Sequence, residues 1–392
     1  MPSLSRLAAL TRALSLLALS APLLTPMSAV AANDKDLAEL KTLIQQMRND
    51  YEQRISELEK RLVSAEKTVA ERPVSPPVPM PAAATPVARA NAFNPAIGLV
   101  LNGAYRSVSD PAGGDVPGFP GGSESGRGAS GFSLGESELS FAADIDDRFQ
   151  GKLTFALADE DGATKVELEE AYLRSQVGDG MRVQAGRFLS DIGYLNPQHA
   201  HADDFADRPL PYRMMLNGAY KDDGVSFAWV APTDTYLELG GEYLRGGQYP
   251  AGGANDRGKG AWTAHLKLGD DVGISNSWQA GLSYLDTRPS GRQTGTPGAA
   301  DSFTGDSRLW IADAIWKWAP NGDPSSRNLT LQGEFFWRDE DGNFTPNGGT
   351  AIPYSAQQTG WYAQAVYQFM PQWRIGARTS TLSADDPKEE RV

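Results

Sequence analysis

From residue 93 onward, apolar and polar positions alternate with a period of two. Between Trp278 and Tyr284, apolar residues at even positions alternate with Gln279, Gly281 and Ser283 at odd positions. The same alternation recurs along the chain, and a count from residue 96 gives thirteen such segments. A period of two is typical of β-strands with one apolar and one polar face. The sequence therefore predicts an all-β fold built from antiparallel strands.

The polar face of these strands carries charged residues, which a dry protein core accepts only when every charge is paired. Apolar residues outward, charged residues inward, and Trp and Tyr near the strand ends are the signature of an antiparallel transmembrane β-barrel with a wet interior. A soluble β-sandwich is the alternative that the alternation allows. We assign to the predicted pore-lining face Lys152, Arg187, Glu238, Glu242, His265, Lys267, Glu334, Arg374 and Arg378.

The connections between the predicted strands alternate in length. Residues 146–147 and 177–180 form short connections, whereas 107–130 and 190–223 are long. Outer-membrane barrels have short periplasmic turns and longer extracellular loops. Residues 190–223 therefore form an outer loop in this prediction, which either remains outside or folds into the interior and narrows it.

The first 92 residues have a different character. Residues 1–31 combine a positive start, a short apolar run and an Ala-Val-Ala cleavage site, which predicts a secretory signal peptide. Residues 32–72 carry apolar residues at heptad spacing with one stutter, which predicts a periplasmic coiled-coil helix or a single amphipathic helix lying on its own protein. Residues 73–92 are a Pro- and Ala-rich linker, and 93–392 form the barrel region.

Composition and motifs exclude several other functions. The formal net charge of −13 disfavours a nucleic-acid partner, and the chain has no cysteine for disulfides or thiolate chemistry. Residues 131–135 match G-x-S-x-G, but a nucleophile elbow lies between a buried strand and a helix, whereas this motif opens an alternating strand. Residues 159–162 lack the later ligands of an EF-hand loop. We therefore predict that the protein is not an enzyme.

Several segments together resemble a known family. They are FNPAIGLVLNGAYR, GFSLGESELSFAADID, VELEEAYL followed by AGRFLSDIGYLN, and GWYAQAVYQFMPQWRIGAR, preceded by the heptad segment and the linker. This layout resembles bacterial outer-membrane porins of the phosphate-selective O and P type. The resemblance implies a 16-stranded, homotrimeric channel for small solutes in the outer membrane, in contact with its lipid. The sequence shows thirteen strands and ends in SADDPKEERV rather than in a strand closing on an aromatic residue. Compared with the sixteen strands that the resemblance implies, it therefore looks shortened by about three strands.

Two of the three histidines lie one residue apart in the long connection. His199 and His201, followed by Asp203 and Asp204, supply nitrogen and oxygen ligands suited to Zn²⁺ or another divalent ion, although a solvated polar loop has the same composition. Two functions therefore stay open. One is passive diffusion through a channel without a cofactor; the other is a non-conducting structural or binding protein whose 190–223 loop captures a divalent metal.

Overall fold

The computed structural model describes residues 95–107, 116, 118–122, 125–126, 130–133, 137–160, 163–254, 260–294, 300–347 and 349–385. The predicted signal peptide, coiled-coil helix and linker lie outside these residues, and those predictions stay untested.

β-strands are the dominant secondary structure of the described residues. The strands are β1 (Ala96–Val100), β2 (Ala104–Arg106), β3 (Gly131–Ser133), β4 (Ser137–Asp144), β5 (Phe149–Glu160), β6 (Ala163–Gly178), β7 (Met181–Leu189), β8 (Lys221–Val230), β9 (Tyr236–Leu244), β10 (Ala261–Val272), β11 (Asn276–Thr287), β12 (Arg292–Thr294), β13 (Asp301–Trp318), β14 (Asn328–Thr345), β15 (Ile352–Met370) and β16 (Trp373–Ala384). One short α-helix, α1 (Leu210–Leu216), and two 3-10 turns, Ala200–Ala202 and Pro320–Gly322, complete the set of described elements.

Thirteen strands form one continuous path in which chain neighbours pair. The order is β1-β4-β5-β6-β7-β8-β9-β10-β11-β13-β14-β15-β16, with β12 paired to β13 and a separate β2–β3 hairpin. The pairings are antiparallel throughout, for example Trp278↔Trp316 between β11 and β13. Within the described part of the chain, β1 and β16 are each paired on one side, so the path is open between them. The predicted all-β antiparallel fold is confirmed.

Among the described residues, no helix combines the length and the apolar composition needed to cross a membrane.

The outward face of the sheet is apolar. Leu239, Leu282 and Phe335 lie in one row across neighbouring strands, together with Leu266 and Ala312, and they are 42%, 45% and 45% exposed. Aromatic side chains lie at both ends of this band: Tyr243, Trp262, Tyr284, Trp310 and Trp337 on one side, and Trp278, Trp316, Trp318 and Tyr367 on the other. Trp278 and Tyr284 are six residues apart on β11, which corresponds to about 20 Å along a strand.

The opposite face is polar and buried. Buried polar side chains on this face include Glu138, Thr154, Glu170, Glu238, Glu242, Thr263, His265, Asp313, Gln332, Glu334, Arg338 and Gln364. An ordinary soluble protein buries its apolar residues and exposes its charges. The strands therefore show the inverse arrangement.

The interior is filled by the connection between β7 and β8, residues 190–220, which we call the interior segment. Its apolar residues are fully buried against the sheet: Ile192, Tyr212, Met214, Met215 and Leu216 pack with Leu309, Ile311, Phe336 and Tyr362. The sequence allowed this loop either to remain outside or to fold into the interior, and in the structure it folds into the interior.

Two features of the fold differ from the sequence prediction. Helix α1 was not predicted, because a seven-residue segment that follows Pro209 and contains Pro211 carries no helical periodicity; Pro211 lies in its first turn and Asn217 ends it at φ 53°. Strands β13, β14 and β15 extend to 18–19 residues. They include parts of the predicted long connections 288–306 and 339–357, because pairing continues through residues whose polarity hides the alternation.

Candidate functional site

The interior segment is the candidate site, because it brings charged loop residues against the polar face of the sheet. It begins with hydrogen bonds to β9: the Asp191 backbone N–H donates to Glu242 Oε1 at 2.8 Å, and the Ser190 hydroxyl donates to Glu242 Oε2. The Gly193 N–H donates to Ser283 Oγ at 3.0 Å on β11. These bonds fix the start of the segment to two strands.

Glu334 of β14 is the main acceptor for the middle of the segment. Its carboxylate accepts the backbone N–H of Tyr194 at 3.1 Å and of Leu195 at 3.2 Å, the Tyr212 hydroxyl at 2.9 Å and the Tyr362 hydroxyl at 2.6 Å. A buried carboxylate with four donors is well compensated for its lost hydration. Glu334 therefore joins the start of the segment, helix α1 and β15.

Arginine pairs hold the remainder of the segment. Arg208 donates to the Leu195 carbonyl at 2.8 Å, and its Nε lies 2.7 Å from Asp203 Oδ2. Arg374 on β16 lies 2.5 Å from Asp204. Burial raises the pKa of Asp203 to about 6, although Arg208 and Arg378 oppose this change. Asp203 and Asp204, both predicted metal ligands, are thus bound by arginines.

The two histidines of the segment face carboxylates of the sheet instead. His199 Nδ1 lies 3.0 Å from Glu138 Oε1 and 3.1 Å from Glu169 Oε2, and its Nε2 lies 2.9 Å from Glu170 Oε2. His201 Nδ1 lies 2.8 Å from the same Glu138 oxygen. The two imidazole rings stack with centroids 5.7 Å apart.

A β-bulge explains why adjacent glutamates both face the interior. Thr154 pairs with Glu170 and Phe155 pairs with Leu168, which leaves Glu169 as the extra residue on β6. A bulge redirects side chains that strict alternation would send to opposite faces. Strict alternation would direct only one of two adjacent residues inward, whereas the bulge allows both Glu169 and Glu170 to face the interior.

This carboxylate cluster determines the charge of His199. Burial lowers the pKa of His199, but its hydrogen bonds with Glu138, Glu169 and Glu170 raise it by more, to about 11. In the absence of any other cation, the imidazole is therefore protonated at neutral pH and neutralises part of the carboxylate charge. Lys152 adds a second positive charge, 2.5 Å from Glu170.

The predicted pore-lining residues separate into two groups. Glu238, His265 and Lys267 lie together opposite Asp191: His265 Nε2 is 3.4 Å from Glu238, and Lys267 Nζ contacts Asp191 and lies 3.6 Å from Glu238. The others are distributed around the interior: Lys152 with Glu170, Arg187 with Asp223 at 2.7 Å, Glu242 and Glu334 with the segment as above, Arg374 with Asp204, and Arg378 with Asp207 at 2.5 Å.

Two cavities remain beside the segment and share Tyr194, Ile315 and Lys317 in their walls. One measures about 180 Å³ and is further lined by Gln332, Gln364 and Arg378 among others. The other measures about 360 Å³ and borders Asp234, Asp270 and Asp271. Asp203 and Asp204 also line the smaller cavity, so Lys317 borders two cavities that both have carboxylates in their walls, and Arg378 adds a second positive charge to the smaller one.

No protein-family model matches the chain. An uncharacterised protein of Aquifex aeolicus is 31% identical over 272 residues, which make up 66% of this chain and 56% of that protein. The chain thus spans little more than half the length of this curated relative.

Solved structures similar to the chain are outer-membrane proteins. They include OmpT of Vibrio cholerae in its trimer form (TM-score 0.35, 15% identity, 64% of this chain and 82% of that chain) and OprB of Pseudomonas putida (0.36, 11%, 64% and 87%). The anion-selective porin of Comamonas acidovorans is a third (0.32, 10%, 74% and 98%). At these TM-scores the similarities assign neither fold nor function to the chain.

Proposed function

We propose that the protein is an outer-membrane porin whose strands cross the membrane as a β-barrel and whose interior segment narrows a channel for passive diffusion of small solutes or ions. The observation that carries this proposal is the inverted sheet: an apolar outward band of about 20 Å between two rows of aromatic residues, with charges on the inner face. Transmembrane barrels have an apolar band about 25 Å tall between aromatic girdles, and a polar interior.

The polar interior supports conduction rather than anchorage alone. Both signs of charge line the two cavities beside the interior segment: Lys317 borders both, Arg378 lines the smaller cavity with Asp203 and Asp204, and Asp270 and Asp271 line the larger one. Rings of charged side chains at a constriction set which ions pass. The interior segment is attached to the wall through hydrogen bonds and ion pairs, so its position determines how wide the passage is.

The test is ion conductance in planar bilayers, using the full chain refolded in detergent. Discrete conductance steps, and co-fractionation of the protein with outer membranes, are expected. Recovery as a soluble periplasmic monomer would contradict the barrel, and stable membrane insertion without conductance would contradict the channel.

The second outcome would favour the alternative of a non-conducting structural or binding protein. The contact of Met214, Met215 and Leu216 with the sheet favours this alternative, because these side chains are fully buried and such packing resists opening of the passage.

We further propose a homotrimer in the outer membrane, assembled through the barrel and through residues 32–72 as a periplasmic coiled coil.

A further inference from the structure

One ring nitrogen of the segment histidines, Nδ1 of His199, has more acceptors within reach than it has hydrogens. Nδ1 of His199 carries at most one hydrogen, yet two carboxylate oxygens, Glu138 Oε1 and Glu169 Oε2, lie within 3.1 Å of it. The Glu138 oxygen is also 2.8 Å from His201 Nδ1. One ligand atom each of Glu138, Glu169 and His199 therefore lies within 4.8 Å of the other two, on β4, on the bulge of β6 and on the interior segment, and His201 lies beside Glu138 at the edge of this group.

We propose that these four residues form a binding site for one zinc ion, with Glu138, Glu169, His199 and His201 as ligands. Two imidazole nitrogens and two carboxylate oxygens are a ligand set that suits Zn²⁺, which is usually four-coordinate. Ligand atoms bound tetrahedrally at about 2.0–2.1 Å are separated by about 3.3 Å. The separations of 3.0 and 3.1 Å from His199 Nδ1 to Glu138 and Glu169 are close to this value, and His201, whose Nδ1 lies 2.8 Å from Glu138, has to turn toward the other three ligands to complete the set.

The surroundings of His199 fit the same role. With Nδ1 directed at the ion, its opposite nitrogen Nε2 lies 2.9 Å from Glu170 Oε2. Metal-bound histidines usually donate their second N–H to a carboxylate, which fixes the tautomer and the ring orientation. Glu170 is itself held by the Thr154 hydroxyl at 3.3 Å and by Lys152 at 2.5 Å. Glu170 therefore serves as the positioning residue of the site.

Burial and charge distinguish this cluster from its neighbours. The side chains of Glu138, Glu169 and His199 are 5%, 6% and 14% exposed, so a bound ion is largely shielded from water. The other described His-carboxylate group, Asp191 with Glu238 and His265, has one histidine, and Lys267 contacts both of its carboxylates. In the proposed zinc site Lys221 lies 3.8 Å from Glu169 Oε1, whereas the other oxygen of Glu169, Oε2, faces His199. The zinc site also differs from the set predicted from the sequence, since Asp203 and Asp204 bind Arg208 and Arg374.

The site would cross-link the interior segment to the sheet, independently of whether the protein conducts. The test is calorimetric titration of the full chain, refolded in detergent without a histidine tag, with zinc chloride. The wild type is expected to bind one equivalent. The pair His199→Ala/His201→Ala and the pair Glu138→Gln/Glu169→Gln should each weaken binding ~10-fold or more, and Glu170→Gln about 10–100-fold.

Two controls make the result specific. Glu167→Gln removes a neighbouring carboxylate that pairs with Lys221, and Asp203→Asn/Asp204→Asn removes the two acids outside the cluster. Both are expected to keep wild-type affinity, with folding of every variant checked by its β-type circular dichroism spectrum. No stoichiometric binding by the wild type, unchanged affinity in the Glu138/Glu169 pair, or a loss in the Asp203/Asp204 pair equal to that in the Glu138/Glu169 pair would each overturn the assigned ligand set.

Discussion

Gly193 is the residue on which the docking of the interior segment depends most directly. Its φ is +65°, and an added Cβ would lie 2.6 Å from both Glu334 Oε2 and the Tyr212 hydroxyl. Gly193→Ala should therefore strain the backbone and separate these two partners, and overpacking of this kind costs about 1–3 kcal/mol. We expect trypsin to cleave at the buried Arg208 and Arg213 about 5- to 150-fold faster, because proteolysis follows the population of the open state.

The matched control is Gly218→Ala. Gly218 lies at the other end of the segment, has a φ of +88°, and an added Cβ meets nothing within 4 Å. It shares the conformational strain without the steric contact, so its cleavage rate should rise less than that of Gly193→Ala. Equal rates in the two variants would show that the contact with Glu334 and Tyr212 has no role.

Glu334 supplies the second prediction at this scale. Glu334→Gln leaves one acceptor oxygen for four donors and turns an amide N–H₂ toward them, and each buried donor left unpaired costs about 1–3 kcal/mol. Hydrogen exchange at the Tyr194 and Leu195 amides, followed by mass spectrometry, should accelerate. Glu167→Gln, on a half-exposed side chain of the same face, is the control. Unchanged exchange in Glu334→Gln would argue against its anchoring role.

At the scale of elements, the interior segment controls the width of the proposed channel. Replacement of residues 195–216 by a short Gly-Ser linker should raise single-channel conductance by about twofold or more, because it removes the packed cluster from the interior. Shortening of the β13–β14 connection at 320–327 gives a control that leaves the segment in place, and its conductance should match the wild type. A deletion variant with wild-type conductance would place the narrowest point elsewhere.

The heptad segment yields a prediction that rests on sequence alone. A peptide of residues 34–71 should sediment above monomer mass, and Ile44→Asp with Leu58→Asp should abolish association, because charges in the seam would be desolvated without partners. Analytical ultracentrifugation measures the mass of both peptides in solution. A peptide that stays monomeric at high concentration would refute assembly through this segment.

The thirteen strands of the main path, their order and their inner and outer faces were predictable, because a period of two depends only on local pattern and short turns pair chain neighbours. The short strands β2, β3 and β12 were not predicted as separate strands. The site was predictable in part. His199 and His201 stood out by their rarity, but their partners lie 29–63 residues away in sequence. Glu170 was missed because a bulge breaks the alternation, and α1 was missed because its packing, rather than its propensity, stabilises it.

At the scale of the whole molecule, the proposed barrel requires the apolar outward face of the sheet to contact lipid and the polar inward face to contact water. Phe335 lies on the outward face of β14, 45% exposed and in one row with Leu282 and Leu239. Phe335→Lys should impair insertion, since a lysine on the lipid face near the membrane midplane costs about 2–4 kcal/mol. The measurement is the fraction folded into liposomes, read from heat-modifiable migration on gels.

Thr330→Lys is the counterpart on the same strand. Thr330 faces inward and lines the cavity beside Lys317, where water and carboxylates are near, so this variant should insert as the wild type does. The introduced lysine is the same and the faces are opposite; Thr330 lies five residues from Phe335, nearer the start of β14. A soluble sandwich predicts the reverse, because an inward lysine would be buried in a core while an outward lysine would be solvated. Normal folding of Phe335→Lys together with loss of Thr330→Lys would therefore refute the membrane-spanning barrel.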